Sequence, residues 1–213
     1  MLILKYSRTG SAAYLPHLDV LRQFGRVLRR AGLKINYSEG FHPHMLFWFG
    51  NPISLGIPTL CEYCAADSPE KAETFLARFN EKRIPGVELL LARETDKNPN
   101  FADILCAAEY EISCAGIGAL APEIRALATN PDFVVKYEGT ARTKSAADKF
   151  LSLESEPDSL RVRLKAGKEN LKADMWMRSV LAELGESRAY SIVRTRQFWE
   201  RGGELADADE LFR

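Results

Sequence analysis

Apolar and polar residues follow two similar rounds of strand-like and helix-like patterns along the chain. In the first round, period-2 or short apolar runs predict strands and 3.6-residue periodicity predicts helices. The predicted strands cover residues 2–7, 33–38, 45–50, 61–67 and 87–95, and the predicted helices cover 17–32 and 68–82. Ser68 followed by Pro69 predicts an N-cap and a first helical residue for the second helix.

The clearest helix is 17–32, because its apolar residues recur at the spacing of one buried face. That predicted face consists of Leu18, Leu21, Gly25, Leu28 and Ala31. Pro16 suits the start of this helix, and Gly32 suits the position just after its end.

A second round follows a polar, proline-containing stretch. Strands are predicted at 108–115, 133–139, 160–167 and 189–199, and helices at 119–130 and 173–185. The insertion 140–158 is left unassigned, with a basic loop at Arg142 and Lys144 and a strand around 150–154. The second round gives the order βαββαβ, and the first gives the same order with one additional short strand. This predicts an α+β protein of two tandem ferredoxin-like units with antiparallel sheets. The expected domains are 1–95 and 108–213, joined by a linker at 96–107.

Charge is distributed unevenly, although the 213 residues carry a formal net charge of zero. Residues 1–50 contain seven Lys or Arg against two acidic residues, a balance of +5, so the remainder carries −5. A basic stretch within a neutral chain predicts a local electropositive surface.

The chain has no signal-peptide pattern at its start and no run of about 20 apolar residues that could span a membrane. We therefore expect a cytoplasmic protein without a membrane partner, with its four cysteines reduced. Cys61 and Cys64 have a CxxC spacing but fall in a predicted strand, which directs them to opposite faces. This favours small core residues over a metal or redox site, and we expect no metal and no cofactor.

Arginines form a stripe on the predicted first helix. Arg22, Arg26 and either Arg29 or Arg30 are three to four residues apart, and Arg8 and Lys34 flank them. Guanidinium groups suit bidentate contacts with phosphate. The stripe is therefore either a solvated helix face or a surface that binds phosphate or an anionic polymer.

The three histidines allow several interpretations. His42 and His44 lie in the stretch YSEGFHPH, in which Gly40 suits a turn and Pro43 stiffens the loop. One interpretation is a metal site formed by these two histidines and His17, with Asp19 or Glu39 as an oxygen ligand. The spacing of these residues matches no zinc motif. His17 with His42 or His44 could instead act as acid and base in RNA cleavage. A purely structural role is the third reading.

Other candidates lie near these charges or in the second half. Tyr37 and Phe41 beside the loop could stack on bases. Arg194 and Arg196 in the last predicted strand could extend the basic surface, or could simply be solvated. The acidic tail 204–213 is interpreted as a surface or partner-docking segment.

The N-terminal residues resemble the radical-SAM-linked family, a domain of unknown function that is free-standing or fused to B12-type radical-SAM proteins. The resemblance rests on KYSRTG, on HLD followed by the Arg-rich helix, on AGL followed by YSEGFHPH, on Pro52, Leu55 and Gly56, and on Glu62-Tyr63. The later IVRT around Arg194 also fits. The chain departs from the family at Pro16 and in the apolar run from Met45 to Trp48.

The resemblance implies no reaction. It implies a partner, a radical-SAM enzyme on a separate chain, acting on RNA or the translation apparatus. The chain contains no CxxxCxxC motif for an iron–sulfur cluster. Tandem ferredoxin-like units are also similar in architecture to CRISPR repeat-processing endoribonucleases, which is an analogy of fold alone.

Three functional hypotheses result. The first is a non-catalytic RNA-binding or substrate-presenting module for tRNA or rRNA, with arginines on phosphates and a loop shaped by Asp19, Ser38, Glu39, Gly40, Pro43 and Glu62. The second is a metal-independent endoribonuclease that uses His17 and His42 or His44. The third is a protein–protein adaptor for the radical-SAM partner.

Overall fold

The protein is described by a computed structural model that covers residues 1–136 and 143–213. It is a mixed α+β structure with mostly antiparallel strand pairing. The chain forms two compact units, Met1–Leu105 with Ala206–Arg213, and Cys106–Leu205. The last eight residues, which the sequence groups with the second domain, thus belong to the first unit.

The first unit contains four strands and three helices. In chain order they are β1 (Leu2–Arg8), α1 (His17–Ala31), β2 (Phe47–Phe49), β3 (Thr59–Ala66), α2 (Ala72–Glu81), β4 (Val87–Glu94) and α3 (Phe101–Ile104), with a 3₁₀ turn at Gly10–Tyr14. Strand β1 pairs antiparallel with both β3 and β4, and β2 pairs antiparallel with β3. Helices α1 and α2 cover one face of this sheet.

The core beneath α1 is built on aromatic side chains. Phe24 of α1 meets Tyr6 edge-on with ring centroids 5.0 Å apart and meets Phe49 at 5.3 Å. Phe79 of α2 lies 5.0 Å from Phe24. The opposite face of the sheet holds a smaller cluster that includes Tyr63 and Phe101. The sheet is therefore buried on both faces, which explains the nearly continuous burial of β1 and β3.

The predicted ends of α1 agree with the structure, but its predicted buried face is partly wrong. Leu18 is 63% exposed and Leu21 is only half-buried, whereas Val20, Phe24 and Val27 are buried. At the other end, Gly32 takes a left-handed conformation with φ of 61°, and the N–H of Leu33 donates to the Leu28 carbonyl at 3.0 Å. This is the glycine-terminated helix end that the sequence predicts.

Two predictions in the first unit need correction. Residues 33–38 form no strand, because their edge is joined only by an isolated bridge between Tyr37 and Met45. Helix α2 begins at Ala72 rather than next to Ser68. The Ser68 hydroxyl instead donates to the Lys34 carbonyl at 2.7 Å, so it ties down the segment that follows α1.

The C-terminal segment is tied to the first unit by polar contacts. The Asp209 carboxylate contacts Lys5 Nζ at 2.6 Å and accepts from the Tyr63 hydroxyl at 2.8 Å. Arg93 donates to the Leu211 carbonyl at 2.9 Å. The segment 96–107, predicted as a linker, contains α3 with buried Phe101 and the first residues of the next strand.

The second unit also has a main sheet of four strands. Its elements are β5 (Leu105–Ser113), α4 (Ala121–Thr129), β6 (Val134–Lys136), β7 (Thr143–Ser145), β8 (Phe150–Glu156), β9 (Ser159–Lys165), α5 (Ala173–Glu183) and β10 (Ser191–Arg201), with β11 (Glu204–Asp207) at the unit boundary. The strand order is β10-β5-β9-β8, in which the pairings of β5 with β9 and of β9 with β8 are antiparallel. Strand β6 pairs with β7 in a separate two-stranded sheet.

The strand predicted at 133–139 is present as β6, but its predicted place in the main sheet is wrong. It pairs with β7 in the small sheet, and β8 takes that place. Residues 137–139 and Arg142 lie outside the described residues, as does the side chain of Lys144.

Candidate nucleic-acid interface

Helix α1 presents arginines on the side opposite its buried face. Arg22, Arg26 and Arg29 are exposed, whereas Phe24 and Leu28 are buried. Positions three and four residues apart share one face of a helix, so the three guanidinium groups lie along one line. The predicted stripe is present on the surface of α1.

The YSEGFHPH stretch forms a loop that is closed on itself. The Ser38 N–H donates to the His44 carbonyl at 2.9 Å, and the His44 N–H donates to Ser38 Oγ at 3.1 Å. Ser38 Oγ also lies 2.8 Å from His44 Nδ1. Gly40, with φ of 112°, makes the turn that a residue with Cβ would resist. The contacts with Ser38 fix the orientation of the His44 ring.

The arginine line and the loop meet in a groove of about 570 Å³. Its charged side consists of Arg22, Arg26 and Arg29, and His44 belongs to its lining. Its apolar lining consists of Leu21, Gly25, Met45 and Phe47. Gly25 keeps this floor open, since a Cβ there would come within 3.2 Å of Met45 Cε.

A second hollow of about 360 Å³ adjoins the groove, because Arg29 and Met45 line both. Lys34 and Tyr37 are among its other lining residues. Tyr37 is 48% exposed, so part of its ring faces solvent. The two hollows bring together six of the residues that the sequence marked as candidates: Arg22, Arg26, Arg29, Lys34, Tyr37 and His44.

The charges in the groove are only partly balanced by protein groups. Arg22 Nη1 pairs with Asp19 Oδ1 at 2.8 Å, an exposed contact of the kind that contributes little stability. Within residues 1–136 and 143–213, the side chains of Arg26 and Arg29 have no hydrogen-bond or ion-pair partner. Two guanidinium groups are thus available to an external anion above an apolar floor.

Several predicted residues lie outside the two hollows. Arg30 donates to the Lys82 carbonyl at 2.9 Å on the side of α1 that faces α2. Phe41 is fully exposed at the loop tip, and Glu39, His42 and Pro43 are exposed around it. These loop residues shape the rim without lining the groove.

The predicted arginines of the second unit do not form a free basic surface. Arg194 is 3% exposed, so its guanidinium is not available to a polymer, and we remove it from the candidate interface. Arg196 is exposed, with its guanidinium 5.2 Å from the centre of the Phe198 ring. Arg163 lies 4.7 Å from the same ring and pairs with buried Glu109 at 2.8 Å.

A family model described as "Uncharacterized protein conserved in bacteria (DUF2344)" matches residues 1–198. The chain belongs to this family. No curated protein matches it. A solved structure, "Crystal Structure of an Unknown Protein from Galdieria sulphuraria", is similar at 10% sequence identity with a TM-score of 0.27, and the match covers 97% of each chain.

The predicted pair of catalytic histidines does not share the groove of this DUF2344 protein. His17 is half-buried at the start of α1, where its ring meets Phe49 edge-on at 5.8 Å, and it is not part of the groove lining. Burial lowers the pKa of His17; Glu62 opposes this shift and Arg8 adds to it. His42 is exposed on the loop, so His44 is the histidine of the groove.

The buried polar residues Arg8 and Glu62 lie near His17 rather than in the groove. Arg8 is 4% exposed and Glu62 is 5% exposed, so neither belongs to the exposed basic surface along which the body of an RNA strand would lie. We therefore remove Arg8 from the proposed RNA-binding residues and Glu62 from the residues that shape the groove. Both enter the electrostatics of His17.

Cys61 and Cys64 face opposite sides of β3, as predicted. Cys64 packs in the core beneath α1, and Cys61 packs in the cluster with Tyr63 and Phe101. Burial, reinforced by Glu62, raises the pKa of the Cys64 thiol. Across the described ranges, no group of three or more His, Cys, Asp or Glu side chains could hold a metal ion. Likewise, no helix there is both long and apolar enough to cross a membrane.

The sequence reasoning missed the floor of the groove. The sequence pattern places Leu21 on the buried face of α1, and Met45 and Phe47 belong to the apolar run in which the chain departs from the resembled family. Their signal was present, since an apolar run next to the loop is expected to pack on a neighbouring helix. What the sequence could not show is that α1 leaves a gap at Gly25.

Proposed function

We propose that this protein is an RNA-binding or substrate-presenting module without catalytic activity of its own. The observation that carries the proposal is the groove in which Arg26 and Arg29, unpaired within the described residues, stand beside an apolar floor. An anionic polymer with apolar faces offers a complement to both properties. Single-stranded RNA is such a polymer, because its phosphates are negative and its unstacked bases have flat faces that stack on apolar surfaces.

The geometry gives each group a role in this proposal. Arg22, Arg26 and Arg29 pair with phosphates through planar, multidentate donors. A base enters over Leu21 and Met45, and Tyr37 in the adjoining hollow supplies a partly exposed ring for stacking. The contacts with Ser38 hold His44, whose ring can then donate to a phosphate or base.

The partner belongs to the same proposal. The resemblance of the N-terminal motifs to the radical-SAM-linked family supports a radical-SAM enzyme on a separate chain, with tRNA or rRNA as the shared substrate. The chain lacks a CxxxCxxC motif, so the cluster and the radical chemistry belong to the partner. The module would hold RNA while the partner modifies it.

We further propose that each unit is a ferredoxin-like domain. In the first unit the order β1-α1-β2-β3-α2-β4, with β1 between β3 and β4, supports this interpretation. In the second unit the support is the strand order β10-β5-β9-β8, in which β6 and β7 are an insertion. Such sheets serve many functions, so the functional argument rests on the groove alone.

An adaptor function is the second candidate, because Phe41 is fully exposed at the tip of the loop. Exposed aromatic residues are frequent anchors in protein interfaces. In this alternative, Phe41 inserts into the radical-SAM partner and the arginines face an acidic surface. The endoribonuclease alternative has weaker support, because His17 does not line the groove with His44.

The test is fluorescence anisotropy of the purified protein with labelled total tRNA and with a random single-stranded RNA, each over a salt series. RNA binding predicts affinity that falls steeply as salt rises. A gel of the same samples detects cleavage, and fragments ending in a 2′,3′-cyclic phosphate that require His17 would favour the nuclease. Absence of binding at low salt would reject the RNA module, and capture of a radical-SAM protein by the wild type but not by Phe41→Ala would then support the adaptor.

A further inference from the structure

A buried cation at the end of β1 has an unused hydrogen-bond donor. Arg8 is 4% exposed, and its Nε is buried without a hydrogen-bond partner in the described part of the chain. A guanidinium stays protonated in proteins, so burial cannot neutralise it as it can a lysine. A buried charge with an unsatisfied donor is unfavourable unless an anion or another acceptor completes it.

Arg8 lies on the face of the sheet that α1 covers. It stands opposite Val87 of β4, which packs in the core beneath α1, and it follows Tyr6 by two residues on the same strand. Tyr6 meets Phe49 at 6.2 Å, and Phe49 meets His17 at 5.8 Å. The sheet register and the ring contacts thus bring Arg8 to the region where α1 begins. The positive charge of Arg8 also acts on His17 and lowers its pKa.

The first turn of α1 supplies further donors in this region. Pro16 occupies the N-cap position and provides no side-chain cap. The amides of Asp19 and Val20 donate to the Pro16 carbonyl, whereas the amides of His17 and Leu18 have no acceptor among the described residues. The positive end of the helix dipole and free N–H groups favour an anion at such a position.

Glu62 is the acidic residue that acts on His17 in this cluster. Its carboxylate favours protonation of His17 and thereby opposes the effect of burial. Glu62 has interactions of its own, and it does not accept a hydrogen bond from Arg8 Nε. The charge of Arg8 is therefore not satisfied at Nε by the neighbouring acid.

We propose that Arg8, His17 and the first turn of α1 form a binding site for a phosphate group. The guanidinium, the imidazole and two main-chain amides offer donors of different kinds, which suits an anion with three or four acceptor oxygens better than a carboxylate with two. This site is separate from the groove, because neither Arg8 nor His17 lines it. The inference therefore stands whether or not the groove binds RNA.

The phosphate could be a free phosphate or the terminal phosphate of an RNA, and the experiment separates these sources. NMR of the imidazole signals is suitable because the chain has three histidines. Inorganic phosphate is titrated into the full-length protein at constant ionic strength, with sodium acetate as the comparison. Two oligonucleotides of identical sequence follow, one with a 5′-phosphate and one with a 5′-hydroxyl.

Phosphate is expected to shift the His17 signals saturably and to raise the pKa of His17, because the dianion stabilises the imidazolium. Arg8→Met should weaken phosphate binding roughly ten- to a hundredfold, the loss expected for a hydrogen bond to a charged group. His17→Gln, followed by calorimetry, should weaken it to a lesser extent and provides a second variant if Arg8→Met fails to fold. The exposed Arg83→Met is the matched control and should bind phosphate like the wild type.

Tighter binding of the 5′-phosphorylated oligonucleotide would identify an RNA terminus as the source of the phosphate. Equal affinity for the two oligonucleotides would identify a free phosphate. Either result supports the site, provided that inorganic phosphate binds. The proposal is overturned if millimolar phosphate leaves the His17 signals unchanged. It is equally overturned if acetate produces the same shifts, or if folded Arg8→Met retains wild-type affinity.

Discussion

Removing the two unpaired arginines of the groove is the sharpest test of the proposed RNA interface. Methionine at Arg26 and Arg29 keeps an unbranched side chain with good helix propensity and removes the charge. Both side chains are exposed and have no partner among the described residues. We therefore expect the free energy of unfolding of the double variant to stay within about 0.5 kcal/mol of the wild type.

The expected change in RNA affinity follows from the number of cations. Each phosphate contact to a single strand contributes about 0.7 to the slope of log affinity against log salt. The four cations of the two hollows give a slope of at most about 2.8, and the double variant retains at most about 1.4. Between 50 and 200 mM salt, wild-type affinity should fall by up to roughly 50-fold, and variant affinity by up to roughly sevenfold.

The assay is fluorescence anisotropy with a labelled random single strand at four or more salt concentrations. The control is Lys97→Met with Lys136→Met, which removes the same net charge from exposed positions outside the hollows. The control should keep the wild-type slope. An Arg26→Met/Arg29→Met protein with the wild-type slope, or a control with an equally reduced slope, would refute the assignment of the groove as the RNA site.

Four further predictions test the packing, a turn and a titration in the first unit. Gly25→Ala should stabilise the protein by about 0.5–1 kcal/mol in urea unfolding, because helix propensity rises and the methionine that faces it is flexible; destabilisation would mean that the floor is rigid. Phe24→Ala should cost about 3–5 kcal/mol in the same assay, since four aromatic rings contact Phe24, and a loss below 1 kcal/mol would contradict this packing. Gly86→Ala should destabilise, because φ is 81° and the new Cβ would collide with the Thr9 carbonyl oxygen; an unchanged urea midpoint would argue against that turn. The folded-state pKa of His17 lies below 6.5, so the unfolded chain binds more protons than the folded chain as pH falls through 6.5. The free energy of unfolding of the wild type should therefore drop there by at most about 1.4 kcal/mol per pH unit. His17→Gln should remove this part of the pH dependence.

The sequence predicted the elements of α1 more reliably than the direction of its faces. The helix boundaries agree because a proline at the start and a glycine at the end are local signals. The sequence of the helix offers two overlapping apolar faces, one through Leu18 and Leu21 and one through Val20 and Phe24, and only one of them can face the sheet. Contact with Tyr6 and Phe49 selects the second face, and such contacts are long-range.

The errors in strand prediction have a similar cause. Residues 33–38 have a strand-like pattern, but strand formation requires an edge to pair with, and the neighbouring backbone pairs with them irregularly. The Asn36 N–H donates to the Asp67 carbonyl at 2.8 Å, while the Leu46 N–H donates to the Asn36 carbonyl at 2.9 Å. In the second unit, the sequences of β6 and β8 both have strand-like patterns, and these patterns do not indicate which of the two strands joins the main sheet.

The structure also changes the meaning of the basic N-terminal segment. A count of charges gives residues 1–50 a balance of +5 and suggests a broad positive surface. Four of its seven cations are already engaged or buried: Lys5 pairs with Asp209, Arg8 is buried, Arg22 pairs with Asp19, and Arg30 donates to the Lys82 carbonyl. The other three cations of residues 1–50 are exposed, and their side chains have no partner among the described residues. They are Arg26, Arg29 and Lys34, and all three line the two adjoining hollows. The free positive charge is therefore smaller than the sequence suggests but concentrated at one place, and concentration beside an apolar floor is what a specific anionic ligand requires.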